Sequence, residues 1–469
     1  MRVLPNVAPT PEQLKIISRI RRGIEVIRGA AGSGKTTTAI LRLQTLIGFF
    51  LSRRKQTGSK EPVRTLVLTF NRTLRGYISK LVELQAAQND QVVIEVETFA
   101  GWAYSRLKQP DLVNEELRVR KIKELGSSIP LPPNFVPDEI DYVLGRYLPD
   151  DRDKYLTSRR EGRGASPRVD RAMRERLLKE VVTPYERWLK QAGECDWSGV
   201  EVAMAKATPG FRYDIVVADE VQDFSANQLR AIFRCLSDEH AATFVIDGAQ
   251  RIYSRGFAWA DVGVTVTSTN SFQLTVNYRN TKEIAAFALP FIADVVPGDV
   301  DATLPDFRQC TRTGPKPVVL KGKFSGQVAH ALGFIKRNVD LGKESVAFLH
   351  PKGGGWFDFV RQGLNREGIG YEYLSRAKDW PDSDTNVALC TIHSAKGLEF
   401  DHVFMLGLNA DILPHGKEAD DNEWLKIRRL LAMGIGRAKE TVHLGYKPDP
   451  DDPPWVAVME NGTYNLKSV

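Results

Sequence analysis

Between the strand-like Glu25-Val-Ile-Arg28 and a helical run from Thr37 lies Gly29-Ala-Ala-Gly-Ser-Gly-Lys35-Thr36. Strand, glycine-rich loop and helix in that order commit the surrounding chain to an α/β fold, the context that gives G-x-x-x-x-G-K-[ST] its meaning. Glycines let backbone N–H groups curl around phosphate oxygens without a Cβ in the way, and the helix N-terminus adds a favourable field. On this reading Gly29, Gly32, Ser33 and Gly34 shape the phosphate cradle. Lys35 bridges the β- and γ-phosphates, and the Thr36 hydroxyl completes a Mg²⁺ shell. The plain alternative is a glycine-rich turn with an exposed lysine, and the flanking elements weigh against it.

Such a loop needs an acidic pair at a second strand end. Ile215-Val-Val-Ala-Asp219-Glu220 supplies one. Asp219 is placed to hold Mg²⁺, and Glu220 to polarise the attacking water. Alone, the pair would read as a loop or helix cap; after the glycine loop it reads as catalytic.

Apolar runs without two-residue alternation mark strands buried on both faces. A first unit offers 25–28, 65–69, 92–96, 215–219 and 243–247. A second offers 272–275, 318–320, 346–349, 387–391, 402–408 and 441–444. Parallel sheets covered by helices follow. Between Trp102 and Tyr213 strand signals vanish, and a basic stretch holds Arg159, Arg160, Arg163, Arg168, Arg171, Arg174 and Arg176. This predicts one α/β unit in two parts, 1–101 and 214–270, a helical insertion at 102–213, and a second unit at 271–469.

The 469 residues carry a formal charge of +7, which permits a polyanionic partner without demanding one. Four scattered cysteines suggest neither a disulfide framework nor a zinc site. The apolar stretch 39–51 contains Arg42 and is too short to cross a bilayer. A soluble, cytoplasmic protein without membrane contact is expected.

Further motifs in order resemble the UvrD/Rep-type superfamily 1 DNA helicases. Asp219-Glu-Val-Gln-Asp223 is similar to their second motif, and Asp247-Gly-Ala-Gln250-Arg-Ile-Tyr253 to the third. Leu274-Thr-Val-Asn277-Tyr278-Arg279 resembles the fourth, Thr391-Ile-His-Ser-Ala-Lys396-Gly397-Leu-Glu399-Phe400 the fifth, and Arg428 to Ala438 the sixth. The resemblance implies two RecA-like cores with ATP lodged between them. Gln250 senses the γ-phosphate, while Arg279 and Arg437 reach it from the second core. Gln13 and Tyr278 hold adenine, and Glu399, following Gly397, lies near the ribose.

The same resemblance implies single-strand contacts from Phe70, Asn71 and Arg72, from Thr98 and Phe99, from Tyr253 and Trp259, and from His350, His393 and Lys396. Aromatic side chains give sequence-tolerant stacking, and cations neutralise phosphates. Phe70, Phe99 and Trp259 read equally as core residues, and the arginine cluster as a solvated helix face or a phosphate contact.

Three departures from the family stand out. Thr37 replaces an arginine that often stacks on adenine. Ala432 and Gly436 occupy places where tyrosine and threonine are common, which implies a slower ATPase. Tyr371 to Cys390 leaves no room for the helical 2B subdomain, although the 1B-like insertion is present. Two readings follow. One is an ATP-dependent 3′→5′ translocase and helicase on single-stranded DNA, with RNA not excluded. The other is an ATP-gated sensor that serves a partner nuclease in repair or in anti-phage defence of the Gabija kind.

Overall fold

The computed structural model describes residues 9–29, 32–70, 72–85, 90–160, 167–247, 257–293, 307–375, 379–413 and 422–469. Six strands form the first sheet: β1 (Gly23–Gly29), β2 (Val63–Thr69), β3 (Val92–Thr98), β4 (Tyr213–Ala218), β5 (Leu236–Ile246) and β6 (Ser271–Leu274). They are all parallel, in the order β3-β2-β4-β5-β1-β6. Val26, Ile27, Leu66, Val67, Val216 and Val217 are almost completely buried, as strands covered on both faces require. The carboxyl ends of β1, β4 and β5 therefore open on one edge, where ligands of parallel sheets collect.

One expectation is corrected. The apolar run 272–275 reads as part of the second unit, yet β6 pairs with β1 from Val26↔Ser271 to Gly29↔Leu274. A short apolar run carries no signal for which of two sheets it joins.

Helices α1 (Pro11–Ile17), α2 (Lys35–Thr57) and α3 (Arg72–Gln85) precede the insertion. Between β3 and β4 the described chain is helical: α4 (Phe99–Arg106), α5 (Glu115–Leu125), α6 (Phe135–Arg146), α7 (Arg171–Arg176), α8 (Thr183–Ala192) and α9 (Trp197–Lys206). A π-helical turn at Leu177–Val182 joins α7 to α8. The insertion has its own apolar centre, including Ile122, Ile140, Val143, Leu177 and Tyr185. After it, α10 (Ala226–Arg234) links β4 to β5.

A small parallel pair, β7 (Asn277–Thr281) and β8 (Cys310–Arg312), follows β6. The second sheet comprises β9 (Val318–Lys321), β10 (Val346–His350), β11 (Glu372–Tyr373), β12 (Val387–Thr391), β13 (Phe400–Met405), β14 (Ala438–Tyr446) and β15 (Asn465–Ser468). It too is parallel, ordered β11-β12-β10-β13-β14-β9-β15. Helices α11 (Lys282–Ala288), α12 (Phe324–Asn338), α13 (Asp358–Arg366) and α14 (Asn422–Ile435) complete it. No described helix is long and apolar enough to cross a membrane.

Candidate nucleotide site between the two cores

The loop after β1 reaches α2 through two left-handed glycines, Gly32 at φ +82° and Gly34 at φ +76°. Both positions exclude a side chain. A Cβ on Gly32 would stand 2.1 Å from Asn277 Oδ1, and one on Gly34 2.3 Å from Gln13 Nε2. Gln13 is fixed by a capping box with Thr10 at the start of α1, and its Nε2 donates to the Ser33 carbonyl at 3.2 Å. One side of Gly29 lies against Ser33 and Leu274.

Lys35 Nζ donates to the Gly29 carbonyl at 2.7 Å and to Asp247 Oδ2 at 3.0 Å. Thr36 Oγ1 donates to Asp219 Oδ2 at 2.7 Å. Asp219 and Glu220 come off β4 side by side, and Glu220 takes a left-handed φ of +56°, a turn uncommon without glycine. Burial first, and the neighbouring Glu220 charge second, push the Asp219 carboxyl up to about 7. Burial also opposes ionisation of Glu220, but Lys396, Arg437 and Lys35 outweigh it and hold that carboxyl below its usual range. The pair is thus electrostatically divided: one carboxylate lacks charge compensation, the other has it. Gln222 donates to Glu220 and accepts from the Asp247 N–H at 2.9 Å, tying the ends of β4 and β5 together.

The second core presents cations to the same place. Arg279 Nη2 donates to Glu399 Oε1 at 2.6 Å, and Lys439 stands 3.6 Å from the other Glu399 oxygen. Against the cost of burial, Arg279 and Lys439 hold the Glu399 carboxyl at about 2. Arg437 is only 2% exposed; its Nε donates to the Met433 carbonyl at 3.1 Å and its Nη1 to that of Leu398 at 3.3 Å. Burial, with Arg279 nearby, lowers it to about 10, so it stays charged at neutral pH.

A narrow cleft lies where these groups meet. Gly32, Gly34, Lys35, Thr36, Thr37 and Glu220 line it from the first core, and Arg279, Gly397, Glu399 and Arg437 from the second. Tyr77 and Leu81 of α3 also line it, and no sequence motif marked them. Tyr278 joins the site through its backbone, donating from N to the Gly32 carbonyl at 3.1 Å. Gln250, Asn71 and Tyr253 lie outside the described residues.

Sequence reasoning also missed an amide pair. Asn277 Nδ2 donates to Asn280 Oδ1 at 3.0 Å, and Asn277 Oδ1 accepts from the Arg279 and Asn280 N–H groups at 3.1 and 3.0 Å. Asn280 Nδ2 in turn donates to the carbonyls of Gly436 and Ala438, on either side of Arg437, at 3.2 and 2.6 Å. A single buried link therefore runs from Gly32 to both arginines.

Among the expected single-strand contacts, Arg72 is exposed at the start of α3, and Phe70 is half-buried with its ring 6.5 Å from Phe224. Thr98 caps α4, accepting from Gly101 N at 3.1 Å. His393 is half-buried, and burial together with Lys396 lowers its pKa. Four others are corrected. Phe99 is packed between Trp102 and Phe224, and Trp259 against Phe244 and Phe257, so neither offers a free ring face. His350 is fully buried, stacked 3.6 Å from Trp356, with Nδ1 accepting from Lys352 and Gly353 N–H groups. Lys396 is 1% exposed and pairs across the cores with Asp223 and, at 3.3 Å, with Glu220. It belongs to the carboxylate side of the cleft.

The arginine-rich stretch is largely committed within the insertion. Arg160 clamps the buried Glu139 at 2.7 and 2.9 Å, Arg174 donates to the carbonyls of Tyr155, Ser158 and Val169, and Arg171 and Arg176 pair with Glu175 and Glu180. Arg163 lies outside the described residues.

A family model described as the UvrD/REP helicase N-terminal domain matches residues 9–273. The chain belongs to this helicase family. The UvrD-like helicase C-terminal domain matches residues 371–447. The first of these matches ends at β6, in keeping with that strand's place in the first sheet. The ATP-dependent DNA helicase PcrA of Staphylococcus aureus (strain Mu50) is 41% identical over 69 residues, covering 14% of this chain and 10% of PcrA. Staphylococcus epidermidis (strain RP62A) PcrA is 41% identical over 76 residues, 15% of this chain and 10% of that protein. The similarity thus spans about a tenth of the curated relatives' length. The C-terminal domain of a possible DNA helicase from Lactobacillus plantarum WCFS1 is 20% identical, covers 41% of this chain and 99% of its own, and has a TM-score of 0.30.

Proposed function

We propose that this chain hydrolyses ATP between its two cores and uses the resulting closure to move along single-stranded DNA. One observation carries the reading: Lys35, Thr36 and Glu220 of one core and Arg279, Glu399 and Arg437 of the other line a single cleft. Lys35 would contact the β- and γ-phosphates, and Glu220, kept ionised by its cationic neighbours, would orient and deprotonate the attacking water. Arg279 and Arg437 would stabilise charge on the transferring phosphoryl group, the kind of contact worth orders of magnitude in rate.

Thr36 and Asp219 fit a Mg²⁺ ion. Their oxygens are 2.7 Å apart, and Asp219 is buried beside a second carboxylate with too little positive charge nearby. Mg²⁺ there would supply charge neutralisation at the phosphates. Gln13 and Tyr278 are the residues assigned to adenine, and residues 102–213 are assigned as a 1B-like insertion.

The direction of movement is proposed as 3′→5′. A nucleic-acid-gated ATPase serving a partner nuclease is the second reading, favoured by the connection between β11 and β12. Residues 374–386 leave no space there for a duplex-engaging subdomain. Purified protein with ATP and Mg²⁺ is tested on duplexes bearing a 3′ or a 5′ tail. Displacement from the 3′-tailed duplex supports the first reading. DNA-stimulated ATP turnover without displacement of either supports the second, and no DNA-stimulated turnover overturns both.

A further inference from the structure

At the opposite end of β4 from Asp219, where the insertion returns to the sheet, lies a second, open-mouthed cavity of about 110 Å³. Its walls are mainly apolar: Trp102, Leu107, Met204, Ala207, Pro209 and Phe211. Phe211, on the returning segment, is held between two guanidinium groups, with Arg64 4.7 Å and Arg106 4.6 Å from its ring. The geometry is therefore a ring-lined slot with Arg106 at its wall, the surface that planar aromatic molecules favour.

Three polar groups meet at one wall. The Tyr213 hydroxyl accepts from Trp102 Nε1 at 3.0 Å and from Arg106 Nη2 at 3.2 Å. It donates to none of the described residues, although Tyr213 is only 2% exposed. A buried hydroxyl that accepts twice and donates to nothing has an unused proton, and leaving it so is costly. Arg106 stands at the exposed rim, where Nη2 alone makes its contacts with Glu95 and Tyr213 and leaves Nε and Nη1 open to an incoming acceptor. Burial pushes the adjoining Cys235 thiol up to about 11, so the cavity holds no reactive nucleophile.

We propose that this cavity binds a small planar aromatic carboxylate, its ring in the slot and its carboxylate accepting from Tyr213 O–H and Arg106. The carboxylate supplies the acceptor that the buried Tyr213 O–H lacks and adds a second anionic partner, after Glu95, for Arg106 at the rim, and the ring covers apolar walls that water solvates poorly. The site is separate from the nucleotide cleft and does not depend on the reaction assigned to it.

The probe is 4-fluorobenzoate, followed by fluorine NMR on the full chain, with fluorobenzene as the analogue lacking an acceptor. Saturable binding of 4-fluorobenzoate, weakened about tenfold by Tyr213→Phe and abolished by the cavity-filling Ala207→Phe, is the expected result. Fluorobenzene should bind more weakly and be indifferent to Tyr213→Phe. Circular dichroism and ATP-analogue binding verify that both variants are folded. The proposal is overturned by absence of saturable binding to the folded wild-type protein. It is equally overturned by 4-fluorobenzoate affinity that neither substitution changes.

Discussion

Lys35 reaches both the loop carbonyl of Gly29 and the carboxylate of Asp247, so its ammonium is already positioned where phosphate oxygens would arrive. Removing it leaves the left-handed glycines and the fold around them intact. Lys35→Ala is therefore expected to abolish ATP turnover while single-strand affinity stays within about a few-fold, because the exposed Arg72 and the half-buried Phe70 lie elsewhere. Parallel measurements of ATPase rate and DNA affinity check this; equal loss of both would contradict the separation of roles. Residues of this kind were legible in the sequence because phosphate chemistry restricts both residue type and spacing. Gly32, Gly34, Lys35, Thr36, Asp219 and Glu220 admit few substitutes. The aromatics were not legible in the same way. Phe99 and Trp259 have the composition of stacking platforms, yet a ring after a strand serves a core equally well, and only packing separates the two uses.

Elements are joined by contacts that no local pattern announces. Asn280, on β7, donates to carbonyls flanking Arg437, 156 and 158 positions away in sequence. Gln222 similarly binds the start of the segment after β5, and β6 crosses to the first sheet by pairing alone. Such partners become adjacent only through the fold, which is why the sheets could be read from apolar runs and this wiring could not. Asn280→Ala should lower kcat by about tenfold or more with KM changed less than about threefold, because it loosens the arginines while Lys35 and Thr36 keep their own hydrogen bonds. Steady-state kinetics alongside ADP affinity measure the split, and a variant that loses only thermal stability would reduce Asn280 to packing. In the insertion, Arg160 satisfies a Glu139 carboxylate that is 0% exposed and also accepts from the Tyr155 hydroxyl at 2.6 Å. Arg160→Ala should therefore destabilise the protein by roughly 3–5 kcal/mol in urea titrations. The slope of log DNA affinity against log salt should change by less than about one; a larger change would restore this arginine to the nucleic-acid track.

Across the whole molecule the cores are tied by Lys396 to Asp223 and by Thr73 Oγ1 donating to the Leu374 carbonyl at 2.8 Å, while Lys426 of α14 pairs with Asp138 of the insertion. Global stability is thus the quantity in which buried titratable groups register. His443 lies between Phe334 and Phe404, each ring centroid 4.7 Å away, and its Nδ1 has no described partner. Burial chiefly, with His330 and His402 beside it, lowers its pKa from 6.5 to about 3. The unfolded chain therefore takes up a proton below pH 6.5 that the native state refuses until about pH 3. Stability from this group is present above pH 6.5 and lost as pH falls. His350, lowered to about 3 by burial and Lys352, acts in the same direction. Asp219, raised to about 7, titrates in the opposite sense and would mask part of the slope in the wild type. The difference between wild type and His443→Leu removes both, since the two proteins share them. Between pH 6 and pH 5 the wild type should lose about 1.2 kcal/mol more than the variant, read from urea unfolding at each pH. Parallel pH curves for the two proteins would mean that His443 titrates alike in the folded and unfolded chains.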